Sequence, residues 1–86
     1  MTKSIVINKN GGPEVLELVD VSIGKPSEDE IKVTSKAIGL NYIDTYHRSG
    51  LSPLALPSGI GLEGAGVVDD IGSTVSEFNL GDNVAY

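Results

Sequence analysis

Between Ile31 and Gly39 apolar and polar residues alternate, with Ile31, Val33, Ser35 and Ala37 on one side and Lys32, Thr34 and Lys36 on the other. A period of two predicts a half-buried strand with one wet face. Two earlier apolar runs predict strands over residues 3–9 and 15–21, joined by the turn residues Asn10-Gly11-Gly12-Pro13 into a hairpin with a longer loop. The second of these carries apolar residues on both faces, so part of it is expected to be covered on both sides. Polar residues 24–30 form a loop. From Asn41 to Gly50 the pattern turns helical for about two turns. Asn41 is expected as N-cap, Asp44 as a first-turn acid and Gly50 as terminator. Tyr42 and Tyr46 fall one turn apart on one side, and Asp44 with Arg48 forms an i,i+4 pair. A further strand is predicted over residues 64–71, then a turn at 72–74, core contacts from Val75 and Phe78, a turn at Gly81-Asp82, and the start of another strand at Asn83. Strands predominate beside one short helix. The expected fold class is mainly β, a small partly open β-barrel.

The stretch from Pro57 to Val75 sets a single carboxylate, Glu63, among Gly59, Gly61, Gly64 and Gly66. Glycines clustered in this way predict a crowded crossing of chain segments. Gly59, Gly61 and Gly64 also spell G-x-G-x-x-G, the dinucleotide fingerprint, which functions only between a buried strand and a helix. Pro53 and Pro57 exclude a central strand before it, and Val67, Val68 and Ile71 favour a strand after it. The fingerprint is therefore rejected. A carboxylate in a glycine-rich crossing should be paired to offset desolvation, which predicts a buried, structural Glu63 with Arg48 as a candidate partner and Asp44 competing for the same arginine.

Composition narrows the classes. The 86 residues are 40% hydrophobic and 21% charged, as in an ordinary folded domain. A formal net charge of −6 with the six Lys and Arg scattered argues against a general nucleic-acid surface. No cysteine is present, hence no disulfide and no thiolate metal site. The acidic trio Glu28, Asp29 and Glu30 reads as a solvated loop, since three consecutive residues cannot converge on a cation. No apolar run is long enough for a signal peptide or a membrane span, so no membrane partner and a cytoplasmic location are expected. His47, the one histidine, is expected to face solvent.

Gly61-x-Glu63-x-x-Gly66, followed by Gly72 and Val75, resembles the signature of the medium-chain dehydrogenase/reductase superfamily. Zinc alcohol dehydrogenases of that superfamily carry a zinc-binding histidine where this chain has Leu62, and a cysteine ligand where it has Asn41. Neither Leu62 nor Asn41 is a Cys or His ligand, so the resemblance is to the zinc-independent, zeta-crystallin-like NADPH:quinone oxidoreductases and no metal site is expected. Gly11-Gly12-Pro13-Glu14-Val15-Leu16, the block from Ala37 to Asp44 with Arg48-Ser49-Gly50, and Val75-x-x-Phe78-x-x-Gly81-Asp82-x-Val84 are similar to further blocks of those enzymes.

The resemblance spans the chain and implies a GroES-like catalytic domain. It implies direct hydride transfer from NADPH to a quinone or enone, with cofactor contacts from Asn41, Tyr42, Ile43, Asp44 and Tyr46, and a catalytic hydroxyl from Tyr46. Gly61, Glu63, Gly66 and Arg48 are expected in structural roles. Enzymes of this kind close the cleft with a Rossmann-type domain, for which 86 residues leave no room. The sequence is thus expected to be the N-terminal part of the GroES-like domain, inactive alone, within a longer protein expected to be a homodimer. A non-enzymatic GroES-like binding or assembly module is the alternative. Against it, such a module needs neither the Asn41–Tyr46 block nor the glutamate motif.

Overall fold

The computed structural model describes residues 2–86, and these are mainly β with one α-helix: β1 (Thr2–Ile7), β2 (Glu17–Val21), β3 (Ile31–Ile38), α1 (Ile43–Ser49), β4 (Ser58–Gly59), β5 (Gly64–Ile71) and β6 (Asn83–Ala85). They group into two compact units, one running up to Ile23 and resuming at Leu40–Leu62, the other made of Gly24–Gly39 and Glu63–Tyr86.

In the first unit a three-stranded sheet has the order β2-β1-β4. The expected hairpin forms, with Ile5 opposite Leu18 and Lys3 opposite Asp20. The Lys3–Asp20 ion pair at 2.6 Å spans that rung, but both side chains are solvated and such a pair contributes about 0–1 kcal/mol. β2 starts at Glu17 rather than Val15, because Pro13–Val15 winds into a 3₁₀ turn that drives Val15 into the core. Proline suits that first position, where its missing N–H is not needed. Ile7 is the largest fully buried side chain of this unit, a burial worth about 1.5–3 kcal/mol. Cover on both faces of β2 is not found, since Leu18 stands 66% exposed. β4 is a strand that the prolines hid. It pairs with β1 through Val6–Gly59 and Ile7–Ser58, beginning just past Pro57, where donors become available again.

In the second unit the order is β3-β5-β6. β5 occupies the predicted residues 64–71, with Gly64, Gly66 and Val68 buried on one face and Ala65 and Val67 half-buried on the other. A strand, not a helix, follows the glycine-rich segment, in line with rejection of the dinucleotide fingerprint. Gly66 has a steric reason to be glycine. A Cβ there would overlap the Thr34 carbonyl of the neighbouring strand. The clean alternation of burial expected along β3 is not found: Ile31, Lys32 and Val33 are all half-buried and residues 34–38 all exposed. The register with β5 also shifts twice, with Asp69 the extra residue on β5 between the Lys32 and Val33 pairs and Lys36 the extra residue on β3 between Ser35 and Ala37. Turns close the sheet. Gly72 N–H donates to the Glu30 carbonyl, and Gly81, at φ 90°, lets the chain reverse into β6. Val75 and Phe78 are half-buried rather than deep in the core.

Candidate functional site

The residues singled out for chemistry lie at the start of α1, in the first unit. The helix begins differently from expectation. Tyr42 is the capping residue, in helical conformation and without a side-chain cap bond, whereas Asn41 precedes the helix. The capping is inverted: Asp44 Oδ2 accepts the backbone N–H of Asn41 at 3.0 Å, while the Asp44 N–H donates to the Asn41 carbonyl at 3.0 Å. A side chain three residues on that reaches back to a backbone N–H in this way is one half of a capping box. Asp44 is consequently the one buried residue of the helix, 6% exposed, and its Oδ1 has no hydrogen-bond partner.

The expected Asp44–Arg48 pair is absent. Arg48 turns away, its Nε donating to the Gly11 carbonyl at 3.2 Å, and the Asp44 carboxylate is committed to the Asn41 turn. His47 is half-buried rather than fully solvated, and its carbonyl accepts the Asn10 side-chain amide. At the other end Gly50, at φ 93°, terminates the helix as predicted, with its N–H on the Tyr46 carbonyl.

Tyr42 and Tyr46 do share a side. Their rings meet edge to face, centroids 5.3 Å apart and planes at 82°. This geometry adds about 0.5–1.5 kcal/mol beyond area burial and stiffens both rings. Neither ring covers a core: Tyr42 is 76% exposed and Tyr46 38%. Ile43 is also exposed and Asn41 half-buried. The start of the helix thus exposes Tyr42, Ile43 and Tyr46, with Asn41 half-buried just before it and Asp44 bracing the turn.

Glu63 contradicts its expectation. It is exposed, not buried, and stands at an open cavity of about 530 Å³ in the second unit, with Ile38, Gly39, Gly64 and Tyr86 in the wall. Gly39 matters here, because a Cβ at that position would fall on the Glu63 side chain. The desolvation argument for Glu63 therefore lapses, while its place beside two glycines stands. Gly61 adopts φ 110° with open space around it, so it is needed for its backbone conformation and not for close approach. Leu62, at the position where a metal ligand would sit, is 55% exposed. Among the described residues no group of three or more His, Cys, Asp or Glu could hold a metal ion, and no helix is long and apolar enough to cross a membrane.

Two residues that the sequence does not place at these features shape them. Tyr86 packs its hydroxyl edge against Gly64, and Asn10 binds the end of α1. Asn10 carried a signal, its place in a turn-forming run, but its partners are 37 and 38 residues away.

The profile of the alcohol dehydrogenase GroES-like domain matches residues 27–86. The chain belongs to that family. Among its relatives is the quinone oxidoreductase of Pseudomonas aeruginosa, 54% identical over all of this chain and 27% of the relative. The Escherichia coli quinone oxidoreductase, solved in complex with NADPH, superposes with a TM-score of 0.94 at 51% identity, covering 99% of this chain and 26% of that one. The quinone oxidoreductase of Pseudomonas syringae pv. tomato gives 0.91 at 55% identity, covering 100% and 27%. This GroES-like chain spans about a quarter of the length of the relatives it matches. Its two open sheets and single helix are the mainly β architecture of their N-terminal domain.

Proposed function

We propose that this chain is the N-terminal part of the GroES-like domain of an NADPH-dependent quinone oxidoreductase that works without zinc. The observation that carries the reading is the exposure of Tyr42, Ile43 and Tyr46 at the start of one braced helix, with Asn41 just before it, where a purely structural helix would bury its tyrosines. The relatives' activity and the NADPH bound to the E. coli protein support it.

In this reading the Asn41 amide, able to donate and accept, binds the carboxamide or ribose of the cofactor. Ile43 supplies apolar contact, and Tyr42 walls the pocket and holds the Tyr46 ring. The Tyr46 hydroxyl orients the acceptor oxygen and can donate a proton to it. Asp44 acts through the turn it braces. NADPH, when bound, supplies the hydride that with one proton converts a quinone to a hydroquinone. With Leu62 and Asn41 at the ligand positions of the zinc enzymes, polarisation of the acceptor falls to hydrogen bonds and orientation. The acceptor is a quinone or a similarly electron-poor enone, and the complete protein is a cytoplasmic homodimer.

The test is to express the complete reading frame and follow NADPH oxidation on addition of a benzoquinone, with and without prior treatment with a zinc chelator. Quinone-dependent oxidation unaffected by the chelator is expected. Absence of oxidation counts for the binding-module alternative, and chelator-sensitive oxidation counts against the zinc-free mechanism.

A further inference from the structure

α1 has only seven residues and buries no apolar side chain, Asp44 being its one buried residue. A helix so short does not persist on its own backbone bonds, and most helices owe their order to an apolar face that this one lacks. What holds it is polar, and much of it comes from the loop after β1. The Asn10 side-chain amide donates to the carbonyls of His47 at 3.2 Å and Arg48 at 3.3 Å. Gly11 N–H donates to the same Arg48 carbonyl at 3.0 Å, and Arg48 Nε returns a bond to the Gly11 carbonyl at 3.2 Å. These satisfy helix carbonyls that would otherwise lack partners. Gly50 completes the fit: a Cβ there would lie 3.1 Å from the Asn10 amide, so the loop can lie flush on the helix end.

We propose that Asn10 is a positioning residue for the site on α1, setting the helix so that Tyr46, immediately before the fastened turn, reaches cofactor and acceptor. The inference rests on the proposed oxidoreductase function. Asn10 touches neither ligand. It acts by fixing where the Tyr46 hydroxyl stands, and Arg48 shares that task through Gly11.

The experiment is a double-mutant cycle in the complete protein, reading kcat/KM for NADPH with a benzoquinone acceptor alongside a melting curve. Asn10→Ala is expected to lower kcat/KM by up to about tenfold, and by no more than Tyr46→Phe does, because it acts through that hydroxyl. In a Tyr46→Phe background the same change should have less than about a twofold effect, because residues acting through one another are not additive. An equal factor in both backgrounds, or no effect in either, overturns the positioning role. Tyr46→Phe without effect overturns the oxidoreductase reading of α1 and the inference with it, a result distinct from the previous two. If Asn10→Ala fails to fold, Arg48→Lys, which removes the Nε bond while keeping the charge, is judged by the same criteria.

Discussion

Glycine substitutions separate backbone crowding from side-chain crowding at single residues. At Gly66 and Gly72 an added Cβ meets backbone carbonyls of adjacent segments, Thr34 in one case and Ser27 with Glu28 in the other. Backbone cannot yield without breaking the β3–β5 ladder or the turn after β5, so Gly66→Ala and Gly72→Ala should each destabilise the chain by about 1–3 kcal/mol or more. At Gly39 the obstacle is the Glu63 side chain from Cγ outward rather than backbone, so Gly39→Ala, which asks a side chain to rotate and not a strand to shift, should cost less. Denaturant melts of the three variants check the ranking, and equal losses at Gly39 and Gly66 would contradict it. The clustering of glycines around Glu63 was legible in the sequence, but its cause was only partly so. Gly64 and Gly66 meet close neighbours, whereas Gly61 needs positive φ and Gly59 meets nothing nearer than 4.0 Å. Which glycine does which depends on strands distant in the chain. The same ignorance of neighbours misplaced Glu63 in the interior.

Among the elements, β5 was readable to the residue because β-branched residues and flanking glycines agree there. β3 was readable in extent but not in facing, since its burial depends on segments distant in the chain and one of its two register shifts lies in its partner strand. α1 was legible in length and at its Gly50 end. Its N-terminus was less so, because only the fold shows that the helix is capped one residue later, at Tyr42, and that Asp44 reaches back to the Asn41 N–H. Turn residues Ser27 to Glu30 carry a pH-dependent bond of the same kind. The Ser27 backbone N–H, 2.9 Å from Glu30 Oε1, holds the Glu30 carboxyl below the usual glutamate range, aided by the Ser27 side chain. A lowered folded-state pKa means that the contribution is fully present above the ordinary glutamate value and lost as pH falls through the lowered one. Melting temperature against pH should show a small acid-side decline that Glu30→Gln removes, and an unchanged acid limb in that variant would refute the assignment. At α1, Tyr46→Phe in the complete protein should reduce NADPH affinity or hydride transfer by an amount of the order of one hydrogen bond, about 0.5–1.5 kcal/mol. Its melting curve should be unchanged, because the ring and its contact with Tyr42 remain.

For the whole molecule, family membership was readable because its motifs have fixed gaps across the chain, whereas the exposures on which the proposed site at α1 rests emerged only from the fold. The zinc-free reading predicts that the complete protein, purified without chelator, holds no stoichiometric zinc, and elemental analysis giving one tightly bound zinc per chain would overturn it. The central claim is that these residues furnish one wall of an NADPH site whose main affinity resides elsewhere in a longer protein. Asn41 and Tyr46 together offer one or two neutral hydrogen bonds, each about 0.5–1.5 kcal/mol net. Micromolar binding requires about 8 kcal/mol, most of which in such enzymes comes from a pyrophosphate site on a Rossmann-type domain. Calorimetric titration of NADPH into the 86-residue chain and into the complete protein tests this most directly. The prediction is saturable micromolar binding to the complete protein and none to the 86 residues; saturable micromolar binding to the 86 residues alone would contradict it.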